Sequence, residues 1–401
     1  MGPDRSLTLQ LLSHDDDVFW STQDYFCPEV MWPAMHNLWE QWHEPVFDHR
    51  IREAWTRFQI FNRNYAEALL TQSADAPNPV YLLQDYQLVV AAARLREARP
   101  DGHIQVFLHC SWGSPDSWRV PPKEVRSGIL EAMCAADSVG FFCTRWAHNF
   151  LSCVDEFVEA ATVDWGARTV EIAGRICHVR VVPLGYSPET ISELRMDLPE
   201  PIHAWVGDSP LVVTYGRTDP VKNTPRAIEA FRRARLSDER LHDAKLLVRL
   251  APNHLHVLMN RRYRQDIDDA VRRLVQSTDD DAVMVVEEGN MAATLASYVR
   301  ADVLLFTAIT EGQNLGPFEG VIVNERCAGV VLSEMAGGSE VLRNVASIVN
   351  PFDVDEQAEA IRAILLMTPE ARALDAKQRH SVVEQYPLQA WVGGQLAALP
   401  S

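Results

Sequence analysis

Residues 211–235 read LVVTYGRTDPVKNTPRAIEAFRRAR. The apolar run from Leu211 to Tyr215 has the makeup of a strand buried on both faces. It stops at Gly216, and a polar loop then presents Arg217, Asp219 and Lys222. Thr224 and Pro225 are predicted as the cap and first residue of a helix, along which Ala227, Ile228, Phe231 and Ala234 recur at helical spacing. A strand that hands a charged loop to a helix is the repeating unit of parallel α/β sheets, which bind ligands where their strands end. Two cations five residues apart, beside a helix start with free N–H groups, suit a pyrophosphate. A solvated charged turn fits the same spacing.

The pattern extends in both directions. From about Pro79 onward, short apolar runs alternate with helical stretches: VYLL (80–83), IQVFLH (104–109), VGFFCT (139–144), CHVRVVPLG (177–185), KLLVRLA (245–251), AVMVVEE (282–288), ADVLLFTA (301–308) and GVVLSE (329–334). Such alternation predicts parallel sheets covered by helices. Before them, Trp20, Trp32, Trp39, Trp42 and Trp55 are spaced as in packed helices. The polar, proline-bearing stretch SPETISELRMDLPEPIHAWVGDSP (187–210) places a domain boundary near 190–206. The expected domains are 1–195, 207–385 and a terminal helix, 386–401, broken off at Pro387 and able to dock on the first domain.

Composition narrows the function. The chain has 401 residues, 47% hydrophobic and 23% charged, as in ordinary folded domains. Lys and Arg total 37 against 55 Asp and Glu, a net charge of −18, with no basic run to follow a phosphate backbone, so nucleic acid is not an expected partner. No apolar run approaches a membrane span. The seven cysteines form no C-x-x-C pair and read as buried thiols of a reducing compartment. With an N-terminal sequence, MGPDRSLTLQLLSHDDD, unlike a signal or transit peptide, a cytoplasmic protein is expected.

A second loop follows the strand at 301–308 and presents Glu311, Gly312, Gln313, Asn314 and Leu315, with Glu319 just beyond. Gly312 is expected to let backbone N–H groups approach a ligand. Glu319 could accept hydrogen bonds from a pair of ribose hydroxyls. In the first domain Asp85 and His109 each close an apolar run, where a carboxylate and an imidazole can orient ring hydroxyls. Taken singly, each of these is more often structural. HExxH, GxSxG and GxxxxGK[ST] are all missing, and His36, His43, His254 and His256 form no metal set; they are expected in loops or at the surface.

Read in order, DYQL (85–88), FLH (107–109), GFFCTRWAHNFL (140–151), GRTDPVKN (216–223), EGQNL (311–315) with FE (318–319), and VNPFD (349–353) resemble the trehalose-6-phosphate synthase family from about Trp20 to the C-terminus. The resemblance implies two facing Rossmann-like domains, the GT-B architecture, and group transfer from a nucleotide diphosphate with retention. GRTDPxKN in place of Arg-Leu-Asp-Tyr-x-Lys-Gly, DYQL in place of DYHL, and GQNL with FE and VNER in place of GMNLVxxE look most like the family's pseudo-glycosyltransferases. These join a GDP-valienol-like donor to a phosphorylated aminocyclitol through a C–N bond. Carried over, Arg217 and Lys222 would hold the leaving diphosphate and Glu319 the ribose. Glu311, Gly312, Gln313, Asn314 and Leu315 would line the donor site. Asp85 and His109 would be catalytic, positioning the rings, and Trp32, Asp85, Arg249 and Asn253 would face the acceptor. No cofactor or metal is implied, and a homodimer is expected.

The sequence departs from the family in three places. Glu311 stands where Asp is usual, the family's phosphate-binding Arg near Leu255 is absent, and the opening strand with its donor-side loop has no counterpart. No glycine lies between Gly2 and Gly102. The fold expected is therefore α/β, GT-B, with an N-terminal domain lacking its opening strand. A trehalose-6-phosphate synthase-like glycosyltransferase and a non-catalytic regulatory or nucleotide-sugar-binding subunit are the alternative functions.

Overall fold

The structure, a computed structural model, describes residues 8–397 apart from 43–44, 195–196, 254–256 and 279–280. Among the described residues twelve strands form two sheets. The first holds β1 (Val80–Gln84), β2 (His103–Phe107), β3 (Ser138–Phe141), β4 (Ala161–Asp164), β5 (Thr169–Ile172) and β6 (Arg175–Val181) in the order β1-β2-β3-β6-β5-β4. The second holds β7 (Leu211–Arg217), β8 (Lys245–Ala251), β9 (Val283–Glu287), β10 (Val303–Phe306), β11 (Gly329–Ser333) and β12 (Ser347–Val349) in the order β12-β11-β10-β7-β8-β9.

All neighbours in the second sheet are parallel. Its order is that of a doubly wound sheet, reversing between β7 and β10, and ligands bind at that reversal, outside the strand ends. The two polar loops singled out in the sequence follow β7 and β10, so the topology brings them together. The burial of β10 and β11 at every position accounts for their unbroken apolar composition.

In the first sheet β1, β2, β3 and β6 run parallel, and β4 and β5 add an antiparallel hairpin. This hairpin is not among the expected strands, because TVDWGARTVEI alternates polar and apolar residues around a turn and carries no continuous apolar run. Among the described residues no strand pairs with the outer side of β1, where Val80 and Leu82 are exposed. The tryptophan-rich region is helical, as its spacing predicts. Asp16 to His36 form a continuous helical run and His49–Gln72 a long helix; Phe26, Trp55 and Phe58 meet in the first core.

The chain crosses between domains at 182–187, where Tyr186 already belongs to the second core. The return of the chain lies beside this crossing. Tyr186 N donates to Tyr386 O (3.0 Å) and Leu388 N to Tyr186 O (3.1 Å). The helix Leu388–Leu396 then packs on the first domain: Trp391 meets Phe107 edge-on at 5.6 Å, and Gln84 donates to Gln395 at 3.2 Å. No helix among the described residues is long and apolar enough to cross a membrane.

Candidate active site

A cavity of about 330 Å³ lies between the domains. Asp85, His109 and Trp32 line it from the first domain, and Arg217, Lys222, Glu311, Gly312, Gln313, Asn314 and Leu315 from the second. Thus most of the residues expected from sequence, scattered over more than two hundred positions, share one wall or another of a single space.

The first-domain side is held by the ends of β1 and β2. Asp85 has φ +68°, a conformation disfavoured for any residue with a Cβ, and it turns the chain out of β1. Its N–H donates to Phe107 O (2.7 Å), and its carboxylate accepts from His109 N (3.2 Å). The two candidate residues thereby fix each other. His109 Nε2 is 2.9 Å from Gln84 Oε1, and the ring is boxed edge-on by Phe107, Phe142 and Trp391. Burial lowers the imidazole's pKa against the opposing pull of Asp85. A neutral ring donating to Gln84 keeps Nδ1 as an acceptor for a substrate hydroxyl.

On the other side, Lys222 pairs with the Glu311 carboxylate, a contact between the loops after β7 and β10. The lysine stem passes over Gly216, where a Cβ would lie 2.8 Å from Lys222 Cγ; glycine opens this route. The Arg217 guanidinium stands 5.1 Å over the Trp32 ring across the domain boundary. Asp219, buried between these cations in sequence, accepts from Val221 N (3.0 Å) and from Asn253 Nδ2 (3.4 Å). Burial raises its pKa, and Arg217 opposes the rise. Asn253 and Asp219 line an adjoining cavity of about 180 Å³, and Trp32, Tyr86, Gln87 and Arg217 form the wall common to both.

Several expectations are corrected. The helix after β7 begins at Thr224 with Asn223 (φ +59°) as its cap, and its N–H groups are not free. Thr224 N donates to Tyr263 Oη (2.6 Å), and Arg226 N and Ala227 N to Asn223 O. Tyr263, about forty residues on, carries no signal of this role in the sequence. Free N–H groups instead sit on the second loop: among the described residues, those of Gln313 and Asn314 reach no protein acceptor. Gly312 lines the cavity and is also needed where the two domains meet. A Cβ there would lie 2.2 Å from His109 O, so glycine permits contact between domains.

Arg249 lines neither cavity. It is fully buried under the second sheet, reaching Ser297 Oγ (3.4 Å) and Glu288 (3.3 Å), because its place in β8 turns it away from the cleft. His36 is not a loop or surface residue. It is buried on the helix Trp32–His36 with Nδ1 2.9 Å from Trp32 O, and burial pushes its pKa down to about 3. His43, His254, Leu255 and His256 lie outside the described residues. Six cysteines are buried, while Cys327 is half-buried. Tyr86, Gln87, Thr310 and Trp146 belong to the site or its support without being expected there; the tyrosine and glutamine inside DYQL are the one readable hint.

Glu319 sits at the start of the helix Gly316–Val323, just past the β10 loop. No group among the described residues donates to its carboxylate, and burial pushes its pKa up to about 7. Glu319 lines neither cavity, and its unpartnered carboxylate, just past the loop whose N–H groups are free, can accept from hydroxyls.

The glycosyltransferase family 20 description matches residues 4–400. The chain belongs to glycosyltransferase family 20. It is 42% identical, over 98% of its length and 79% of the relative's, to validamine 7-phosphate valienyltransferase of Streptomyces hygroscopicus subsp. jinggangensis. The UDP-forming α,α-trehalose-phosphate synthase of Schizosaccharomyces pombe is 27% identical over 94% of this chain and 74% of that one. Among solved structures, the UDP-forming trehalose-phosphate synthase of Burkholderia xenovorans superposes with a TM-score of 0.85 at 22% identity, covering 96% and 85% of the two chains. This likeness confirms the expected GT-B fold of the family 20 enzyme.

Proposed function

We propose that this family 20 enzyme is a retaining pseudo-glycosyltransferase that joins a GDP-linked, valienol-like cyclitol to a phosphorylated aminocyclitol such as validamine 7-phosphate. One observation carries the reading: Asp85 and His109 from one domain face Arg217 and Lys222 from the other across a single cavity. The similarity to validamine 7-phosphate valienyltransferase supports the choice of ring and acceptor.

In this reading the diphosphate lies against Arg217, Lys222 and the N–H groups of Gln313 and Asn314, with Glu319 accepting from the ribose hydroxyls. The acceptor enters from the Trp32 and Asn253 side. The bond from the ring carbon to the phosphate oxygen breaks, and the amine nitrogen bonds to the same face of that carbon. The departing phosphate oxygen takes the amine proton, so the products are GDP and the coupled secondary amine. Arg217 and Lys222 stabilise the charge that develops on the leaving group, the role assigned here to side chains rather than to a metal. Asp85 and His109 orient ring hydroxyls.

The test is a substrate panel read by mass spectrometry. GDP-valienol, GDP-glucose and UDP-glucose are each paired with validamine 7-phosphate and with glucose 6-phosphate. Coupling of GDP-valienol to validamine 7-phosphate supports the proposal. Trehalose 6-phosphate from a glucose donor would establish the synthase reading instead, and GDP binding without product in any pairing would favour a regulatory subunit.

A further inference from the structure

The loop after β10 is fastened to the first domain as well as to its own. Trp146, buried on the helix Thr144–Phe157 of the first domain, directs Nε1–H at both Glu311 O (3.1 Å) and Gly312 O (2.9 Å). The next residue, Gln313, brackets the interdomain crossing: its Nε2 donates to Leu184 O (2.9 Å) and its Oε1 accepts from Leu184 N (2.6 Å). Gly312 lies against the His109 carbonyl. From behind, Gly337 N and Gly338 N of the second domain donate to Glu311 O (3.1 Å) and Gln313 O (2.8 Å).

Glu311 is thus held from both domains, Gly312 from the first, and Gln313 by the crossing and the second. The same stretch carries the Glu311 carboxylate that pairs with Lys222 and the free N–H of Gln313. A second tie runs parallel: the Glu340 carboxylate accepts from Thr144 N (2.9 Å) and Arg145 N (3.1 Å) at the start of the Trp146 helix. Separating the domains would leave the indole N–H without either acceptor, so closed and open arrangements are distinct states rather than a continuum.

We propose that Trp146 is a positioning residue that couples the two substrate sites: its indole N–H sets the donor loop only when the domains are closed. The acceptor side and the donor side then share one equilibrium. A ligand bridging Asp85, His109 and Trp32 to the cleft favours closure, closure sets the loop, and the set loop holds the diphosphate better. By linkage the donor must tighten the acceptor by the same factor. This rests on the proposed reading only in taking donor and acceptor to occupy opposite domains.

The test is a ligand cycle by calorimetry on the full chain. GDP affinity is measured alone and with saturating validamine 7-phosphate or glucose 6-phosphate, for the wild type and Trp146→Phe. The wild type is expected to bind GDP at least ~5-fold more tightly with acceptor present. In W146F the enhancement should fall below ~2-fold, while GDP alone binds within ~2-fold of the wild type. A destabilised core would instead lower the unfolding temperature without selectively removing the synergy. If W146F does not fold, Glu340→Ala, which removes the parallel tie to Thr144 N and Arg145 N at the start of the Trp146 helix, should show the same loss. Synergy that survives the variant, a wild type with no synergy for either acceptor, or GDP binding weakened equally with and without acceptor would each overturn the coupling. Synergy with glucose 6-phosphate alone would leave the coupling standing and overturn the proposed acceptor.

Discussion

Glu319→Gln should have opposite effects on stability and on nucleotide binding, and the stability effect should depend on pH. The native carboxyl titrates at about 7 against an ordinary 4.5, because it is desolvated without a donor. Between those values the native state holds a proton that the unfolded state has lost, so stability falls as pH rises from about 4.5 to about 7. At ~1.36 kcal/mol per pH unit the gap sets an upper bound of ~3 kcal/mol, and ~2 kcal/mol is a working value for a side chain that is not fully enclosed. Glutamine is neutral at every pH. Urea unfolding of both proteins at pH 5 and pH 8 should therefore show the variant close to wild type at pH 5 and ~2 kcal/mol more stable at pH 8. Over the same range wild-type GDP affinity should rise with pH through about 7, as the carboxylate proposed to accept from the ribose becomes ionised. In the variant GDP should bind at least ~10-fold more weakly at pH 8, a loss of ~1.4 kcal/mol, and its affinity should rise less with pH than the wild type's. Equal stability differences at both pH values, or undiminished GDP binding, would refute the assignment.

Three other substitutions test which residues act in the cleft. Lys222→Ala should lower turnover at least ~30-fold, about 2 kcal/mol of transition-state stabilisation, as read by steady-state kinetics; unchanged turnover would remove Lys222 from the leaving-group site. Glu311→Gln frees Lys222 from its ion pair, so GDP should bind several-fold more tightly by calorimetry, whereas weaker binding would mean that Glu311 itself contacts the donor. Arg249→Met should leave the acceptor KM unchanged and the urea midpoint equal or higher, because a buried guanidinium with long hydrogen bonds and an unpartnered Nε contributes little net stability; a raised acceptor KM would restore the role expected from sequence.

Much of this arrangement is legible in the amino-acid sequence. The continuous apolar runs locate most strands of both sheets, since burial on two faces leaves a contiguous signature. The chemistry at their ends is legible for the same reason: a doubly wound sheet gathers the residues after its strands, so Asp85, His109, Arg217, Lys222 and the 311–315 loop fall into one cavity. What escapes is set by partners remote in sequence. Tyr263 occupies the N–H that Thr224 is expected to offer a ligand. Arg249 resembles a cleft residue because APN follows it, but strand alternation turns its side chain under the sheet. His36 carries no local mark of burial. Trp146 has the look of a core residue in GFFCTRWAHNFL, and only the closed cleft shows its N–H pointing at another domain's loop.

The most direct measurement is the bond formed. GDP-valienol is incubated with ¹⁵N-labelled validamine 7-phosphate and the purified chain, and the product is examined by NMR. The account predicts nitrogen bonded to the former donor carbon, with that carbon's configuration retained and one GDP released per coupling. An oxygen-linked product, or an inverted centre, would contradict it.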